Sequence, residues 1–175
     1  YKYPLKGEDK TFLLAWSTTP WNKIATPALA VNPKLDYVKV EQGNEFYILG
    51  KETVKMLKNN IPYQVVDEFK GQALIGKEFI PHYSYYPVEP GKRAFVIIPG
   101  SFVTEEEGTG VVTIAAYGEE DLVVMQKENI QIVLHVDEEG RLKDDVPNWA
   151  GLYYLDVNQK VNGDLKARGL LYDEK

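Results

Sequence analysis

The sequence predicts a mixed α/β fold, mainly β, with a β-barrel core decorated by short helices. Short apolar or alternating runs recur along the 175 residues. Pro, Gly and Asn punctuate them, and few segments carry helical spacing. No repeat, low-complexity tract or long Pro/Gly/Ser linker divides the chain, so residues 1–175 read as one domain.

Thr11 to Trp16 is a short apolar run and reads as a buried strand, interrupted by Ser17-Thr18-Thr19-Pro20. Ala28 to Val31 is a second strand, ended by Asn32-Pro33. Asp36 to Glu41 alternates apolar and polar residues, Gln42-Gly43-Asn44 turns the chain, and Glu45 to Leu49 returns. This is a β-hairpin. Lys51 to Asn59 places Val54, Leu57 and Lys58 at helical spacing and reads as a helix stopped before Pro62. Tyr63 to Phe69 is a strand, and Gln72 to Ile80 reads as irregular. Pro81 to Gly91, rich in Pro and Tyr, reads as a long surface loop within the domain. Arg93 to Ile98, Gly110 to Ala115 and Ile130 to Val136 read as strands, and Asp137 to Gly140 as a turn. Glu119 to Glu128 and Asn158 to Arg168 read as helices. The second turns Val161, Leu165 and Ala167 to Leu170 inward and is capped by Gly169.

Charged residues make up 26% of the chain and hydrophobic ones 44%, values of a soluble globular domain. A chain of this length buries enough surface to fold without staples. There is no cysteine, which excludes thiol nucleophiles, disulfides, zinc fingers and iron–sulfur clusters. The two histidines, His82 and His135, stand far apart and give no metal-site spacing. His82 reads as loop surface and His135 as a core or rim residue. Asp137-Glu138-Glu139 and Asp144-Asp145 read as solvated turns. The net charge of −6 argues against gripping a duplex through many phosphates, though a short single-stranded end is compatible with it. No apolar run approaches the roughly 20 residues of a membrane span, and Tyr1 to Lys10 lacks the apolar stretch of a signal peptide. The cytoplasm is therefore the expected compartment. The chain starts without Met and ends in mid-pattern at Lys175, so it reads as a piece of something larger.

Two constellations could carry chemistry. In Trp16-Ser17-Thr18-Thr19-Pro20-Trp21, consecutive hydroxyls at a strand end can converge on a water, a ribose hydroxyl or an ester oxygen. Spacing alone favours the plainer reading, hydroxyls bonding the local backbone at a strand-to-turn transition. The second runs from Gly108-Thr109-Gly110-Val111-Val112 to Glu119-Glu120-Asp121. Glycines let a ligand approach the backbone, and the acidic triplet opens a helix. It is either an N-terminal charge cluster or the source of one carboxylate, Asp121, turned inward to pair with an ammonium. The Lys of a P-loop and the third Gly of a dinucleotide fingerprint are missing.

Together and in this order, the two segments resemble the editing domain inserted in isoleucyl-tRNA synthetases. That family's first segment reads approximately W-T-T-T-P-W-T-L-P-x-N followed by A-L-A-V-N-P, and Trp16 to Pro33 is WSTTPWNKIATPALAVNP. The second reads approximately G-T-G-x-V-H-x-A-P-A-x-G-x-x-D, and Gly108 to Asp121 is GTGVVTIAAYGEED. The tail also matches, with VDEEGRL, VPNWAG and DLKARGL. The Trp-Ser-Thr-Thr-Pro-Trp form points to the isoleucyl branch, since the valyl and leucyl branches carry a T-T-R-P-E-T type of segment.

The resemblance implies a hydrolase that receives the 3′ end of mischarged tRNA(Ile) and cleaves the aminoacyl ester, chiefly the valyl one. Isoleucine-versus-valine selection is the standard worked example of such double-sieve editing. It implies catalysis by a positioned water. Thr18 and Thr19 match the positions that bond the terminal ribose, the substrate and the water. Asp121 matches the aspartate that pairs with the substrate ammonium. Trp16, Ser17, Trp21 and Thr113 would line the substrate, and Gly108, Thr109, Gly110, Val111 and Val112 would form a wall offering backbone groups to the terminal adenosine. No cofactor is implied for editing, although the parent synthetase uses ATP and Mg. The implied partners are the tRNA end and the synthetase body, with the isolated domain a monomer away from membranes.

The chain departs from the pattern at several positions. Ser17 replaces a threonine, Asn22 and Lys23 replace Thr-Leu, and Thr26 replaces Asn. Thr113 stands at the family's histidine, and one residue is missing between it and Asp121. These changes imply a wider or reshaped pocket. They also leave two rival expectations: a module that binds the acceptor end without hydrolysis, and an insertion that only orients the tRNA.

Overall fold

The computed structural model describes residues 1–106 and 108–174; Lys175 lies outside them. The observed strands are β1 (Lys2–Pro4), β2 (Thr11–Leu14), β3 (Ala28–Val31), β4 (Asp36–Gln42), β5 (Glu45–Gly50), β6 (Tyr63–Lys70), β7 (Val96–Pro99) and β8 (Val111–Ile114). The helices are α1 (Glu119–Lys127) and α2 (Asn158–Ala167), joined by 3₁₀ turns at Pro20–Ala25, Lys51–Met56, Gly71–Leu74 and Tyr154–Val157.

The strands form two sheets, one of order β1-β2-β5-β4-β6 and one of order β7-β3-β8. They pack face to face on a shared core. Leu13, Tyr37 and Ile48 come from the larger sheet, and Leu29, Val31, Ile97 and Val111 from the smaller. Strand alternation then populates the outer faces. Ala28, Ala30, Val96, Ile98 and Ile114 point the other way, onto Met125 of α1. Leu14, Val38, Val40, Tyr47 and Leu49 form a cluster behind the larger sheet. Strand β3 is buried at every residue because it is the central strand of a sheet covered on both faces.

The expected barrel does not close. Closure would require β1 to pair with β6. Instead the free edge of β1 is covered by the C-terminal segment, where the Lys2 N–H donates to Leu170 O at 2.9 Å. The other edge, β6, is left to solvent with Asp67, Glu68 and Lys70 on it. Charged side chains on an open edge discourage pairing with another chain.

The hairpin is found as β4 and β5, in register from Gln42↔Glu45 to Tyr37↔Gly50. Both helices end in a Schellman motif. In α2, Gly169 takes φ 73°, its N–H donates to Lys166 O, and the Leu170 N–H reaches back to Leu165 O. In α1, Asn129 plays the glycine's part at φ 57°, with the Ile130 N–H bonded to Met125 O. Of the residues read as inward on α2, Val161 and Leu165 are buried, whereas Ala167 is exposed.

Three readings are corrected. Lys51 to Asn59 is a single 3₁₀ turn over Lys51–Met56 and not a longer helix, as a segment this short pays nucleation for few bonds. Ile130 to Val136 has only two isolated bridges, Arg93↔Ile130 and Val136↔Leu142, because no strand runs alongside it. His82 is not surface. It is 3% exposed, stacked on the Tyr3 ring at 3.9 Å, with Nε2–H donating to Lys2 O at 2.7 Å. His135 is a core residue as expected, with Nε2 donating to Trp21 O at 3.0 Å.

Candidate active-site cleft

Strand β2 ends at Leu14, where Thr109 Oγ1 donates to the Leu14 carbonyl at 2.6 Å. The chain then turns through Ala15 to Thr19 into the Pro20–Ala25 3₁₀ turn, with Pro20 at its first position, where its missing N–H costs nothing. This places Trp16, Ser17, Thr18, Thr19 and Asn22 along one wall of a cleft of about 350 Å³. Val112 and Thr113 of β8, Asp121 of α1, and Phe102, Val103 and Thr104 line the same cleft.

Asp121 is half-buried in the first turn of α1, and its Oδ2 accepts from the Ala115 N–H at 3.2 Å. Burial raises its pKa. The Ala115 bond opposes that, and the neighbouring Glu120 charge adds to it. The carboxyl group therefore lies on the cleft wall with one oxygen anchored to the backbone.

The hydroxyls that line the same cleft are linked to each other. Ser17 Oγ and Thr19 Oγ1 are 3.1 Å apart, the Thr19 N–H donates to Ser17 Oγ at 3.2 Å, and Asn22 Nδ2 donates to Thr19 Oγ1 at 3.0 Å. Behind them lies Lys23, 1% exposed, with Nζ donating to Ser17 Oγ at 2.7 Å, Thr19 O at 3.3 Å and Thr113 Oγ1 at 3.5 Å. Its ammonium sits 4.8 Å from the centre of the Tyr1 ring. Among the described residues no carboxylate pairs with it, and burial lowers its pKa to about 7. The sequence reading treated Lys23 only as a departure from the resemblance. The signal was present in the sequence, since a lone cation stands in the apolar context Ile24-Ala25…Ala28-Leu29.

Thr18 is exposed. With Trp16 and Ser17 it also borders an adjoining groove of about 230 Å³, whose lining includes Tyr1, Thr109 and Tyr172. Of the remaining predicted residues, Val112 lines the cleft and Thr109 the adjoining groove, and each is held by contacts of its own. Trp21 packs against Tyr117, His135 and Tyr154 at 5.0–5.8 Å between ring centres. Gly108 takes φ 81° and abuts Trp16, where a Cβ would meet the Trp16 Cβ at 3.0 Å. The Thr109 carbonyl accepts the Gly50 N–H, the Gly110 carbonyl accepts the Tyr37 hydroxyl, and Val111 and Val112 pair with β3. The Thr109 and Gly110 carbonyls thereby tie this segment to the larger sheet, while Val111 and Val112 pair within the smaller one, of which β8 is an edge strand.

The chain was compared with known proteins. No family model matches it. It is 39% identical over 172 residues to an isoleucine–tRNA ligase of Clostridium acetobutylicum, covering 98% of this chain and 16% of that protein. The ligases of Petrotoga mobilis (37% over 174 residues) and Chlamydia abortus (35% over 175) match it similarly, over 18% and 17% of their lengths. The chain belongs to the isoleucine–tRNA ligase family, of whose members it spans about one sixth of the length. In fold it is similar to the GlLeuRS-CP1 crystal structure, with a TM-score of 0.72 at 14% identity over 94% of this chain and 84% of that one. It is also similar to the editing domain of Plasmodium knowlesi cytosolic leucyl-tRNA synthetase ("P.knowlesi" in that structure's description), with a TM-score of 0.68 at 13% identity and the same coverage. No described helix is long and apolar enough to cross a membrane, and no group of His, Cys, Asp or Glu among the described residues could hold a metal ion.

Proposed function

We propose that this editing domain hydrolyses the aminoacyl ester of mischarged tRNA(Ile), chiefly valyl-tRNA, in the cleft between the Ser17–Thr19 hydroxyls and Asp121. The observation that carries the reading is that an anchored carboxylate and a hydroxyl cluster line one cleft. An aminoacyl ester offers matching groups: an α-ammonium for Asp121, and ribose and carbonyl oxygens for Thr18 and Thr19. Holding both ends fixes the carbonyl carbon beside a water that Thr19 can bond. That converts a bimolecular attack into an oriented one, with no covalent nucleophile needed. The acidic domain takes only the single-stranded end, while the synthetase body carries the rest of the tRNA in the cytoplasm. ATP and Mg serve the synthetic site of the parent enzyme and have no part in this step. Thr113, smaller than a histidine, widens the β8 side of the cleft and shifts selectivity among aliphatic esters.

The test is deacylation of valyl- and isoleucyl-tRNA(Ile) by the full-length ligase carrying this domain. Asp121→Ala is expected to lower valyl ester hydrolysis by at least about 10²-fold, the scale of a lost positioning contact. An unchanged rate in that variant overturns the assigned role. Binding of a non-hydrolysable valyl-adenosine with no turnover by the unaltered enzyme would establish the acceptor-end binding module instead.

A further inference from the structure

We propose that Lys23 is the terminus of a proton relay, taking a proton from the attacking water through Thr19 and Ser17. The inference rests on the hydrolytic reading above and assigns a role to a side chain that touches no substrate.

The hydrogen-bond inventory fixes the direction of the relay. Ser17 Oγ receives the Thr19 N–H, and when Lys23 is charged it also receives an Nζ–H. Both lone pairs are then occupied, so the Ser17 hydroxyl donates to Thr19 Oγ1. Thr19 Oγ1 already accepts from Asn22 Nδ2, so its own proton points into the cleft. Charged Lys23 thus makes Thr19 a donor. When Lys23 is neutral its lone pair accepts the Ser17 proton, Ser17 accepts the Thr19 hydroxyl, and Thr19 presents a free lone pair to the cleft. Only this second state can take a proton from water.

The step balances. Water oxygen bonds to the ester carbonyl carbon as the carbonyl π pair moves to its oxygen. The water proton passes to Thr19 Oγ1, the Thr19 proton to Ser17 Oγ and the Ser17 proton to Lys23 Nζ. Collapse breaks the bond between the carbonyl carbon and the ribose oxygen. That oxygen leaves with the proton returned along the same chain, and Lys23 is neutral again. The products are the amino acid and a free ribose hydroxyl.

Burial places the lysine's protonation change within reach of neutral pH, lowered to about 7. The titratable groups facing it do not supply a competing charge there. The Tyr1 phenol under the ammonium is raised to about 12, and His82 is held down to about 3. From β8 it meets the Thr113 hydroxyl, and from α2 the side nearest Trp21 and Tyr1 presents the amides Asn158 and Asn162. Asp121, which also lines the cleft, is bonded to Ala115. Lys23 and Thr113, two places where the chain departs from its family's pattern, therefore meet in one site.

The experiment is the pH–rate profile of valyl-tRNA(Ile) deacylation by the full-length ligase and its Lys23→Met, Lys23→Arg and Ser17→Ala variants, with binding of non-hydrolysable valyl-adenosine as a second measurement. The unaltered enzyme is expected to speed up through an inflection near pH 7. Lys23→Met and Lys23→Arg should lose that inflection and about 10²-fold in rate above it, the low end of positioned proton transfer, while still binding the analogue. Ser17→Ala, which breaks the relay in the middle, should do the same and stands in if the lysine variants fail to fold. Variants that keep both rate and inflection overturn the relay. An unaltered enzyme that shows no hydrolysis at any pH overturns the functional reading itself.

Discussion

At the scale of single residues, the cleft is organised around a buried cation that stability would not select. Lys23 is held without a carboxylate partner among the described residues, and desolvation lowers its pKa from 10.5 to about 7. Between those values the unfolded chain binds a proton that the folded chain has lost. Stability therefore rises with pH from 7 upward, and the full penalty is present below 7. Lys23→Met removes the penalty and is expected to raise stability at pH 7 by about 2 kcal/mol, within the range seen when buried charges are replaced by apolar groups. Urea unfolding at pH 7 and pH 9 checks this: the variant should be more stable at pH 7, with a flatter dependence between the two. A residue that weakens the fold while lying behind the cleft hydroxyls fits a site selected for chemistry. The sequence made Thr18, Thr19 and Asp121 visible because they stand in recognisable motifs. It showed Lys23 only as a lone cation in an apolar stretch, because its burial and its three contacts, to residues 17, 19 and 113, are properties of the fold and not of local spacing.

At the scale of elements, close backbone approach decides where the sheets sit. Gly71 opens the 3₁₀ turn after β6, and its N–H donates to Leu35 O at 2.9 Å. A Cβ there would lie 2.1 Å from Asn32 O and 2.8 Å from the Tyr37 ring. The nearest of these is backbone and cannot swing away, so Gly71→Ala is expected to cost about 3 kcal/mol. That corresponds to a melting temperature lowered by about 9 °C, measurable by calorimetry. Most elements were legible from residue order. Strand β3 matches its predicted bounds, and the hairpin and both helices fall within a residue or two of theirs. Strand β1 was missed because Lys2-Tyr3-Pro4 is too short to show a period, and it is a strand only because β2 pairs with it. The segment from Ile130 to Val136 had the composition of a strand but no partner, and composition cannot supply one.

At the scale of the whole molecule, two buried histidines link stability to acid. Burial lowers His82 from 6.5 to about 3 and His135 to about 4. Each binds its proton more weakly folded than unfolded. Their contribution is therefore complete above pH 6.5 and is lost progressively as pH falls from there through 4 toward 3. By the conversion of roughly 1.4 kcal/mol per unit, they amount at the acid end to about 5 kcal/mol for His82 and about 3 to 4 kcal/mol for His135. His82→Phe keeps the ring stacked on Tyr3 and removes one titration. It is expected to lose about 1 kcal/mol at pH 7, through the orphaned Lys2 carbonyl, and to show a shallower decline between pH 6.5 and 4. Unfolding free energies at three or four pH values measure both effects. An equally steep decline in the variant would count against His82 as a source of acid sensitivity.

The sequence by itself determined the proportions of the fold, the positions of the hairpin, of β3 and of both α-helices, and the family resemblance, because these follow from local periodicity, turn chemistry and ordered motifs. The tertiary structure alone decided that the sheets stay open, that the Thr109 and Gly110 carbonyls bond to the larger sheet, and that Lys23 backs the hydroxyl cluster. Each of these depends on which distant groups satisfy a hydrogen bond or exclude water, and no spacing along the chain records that.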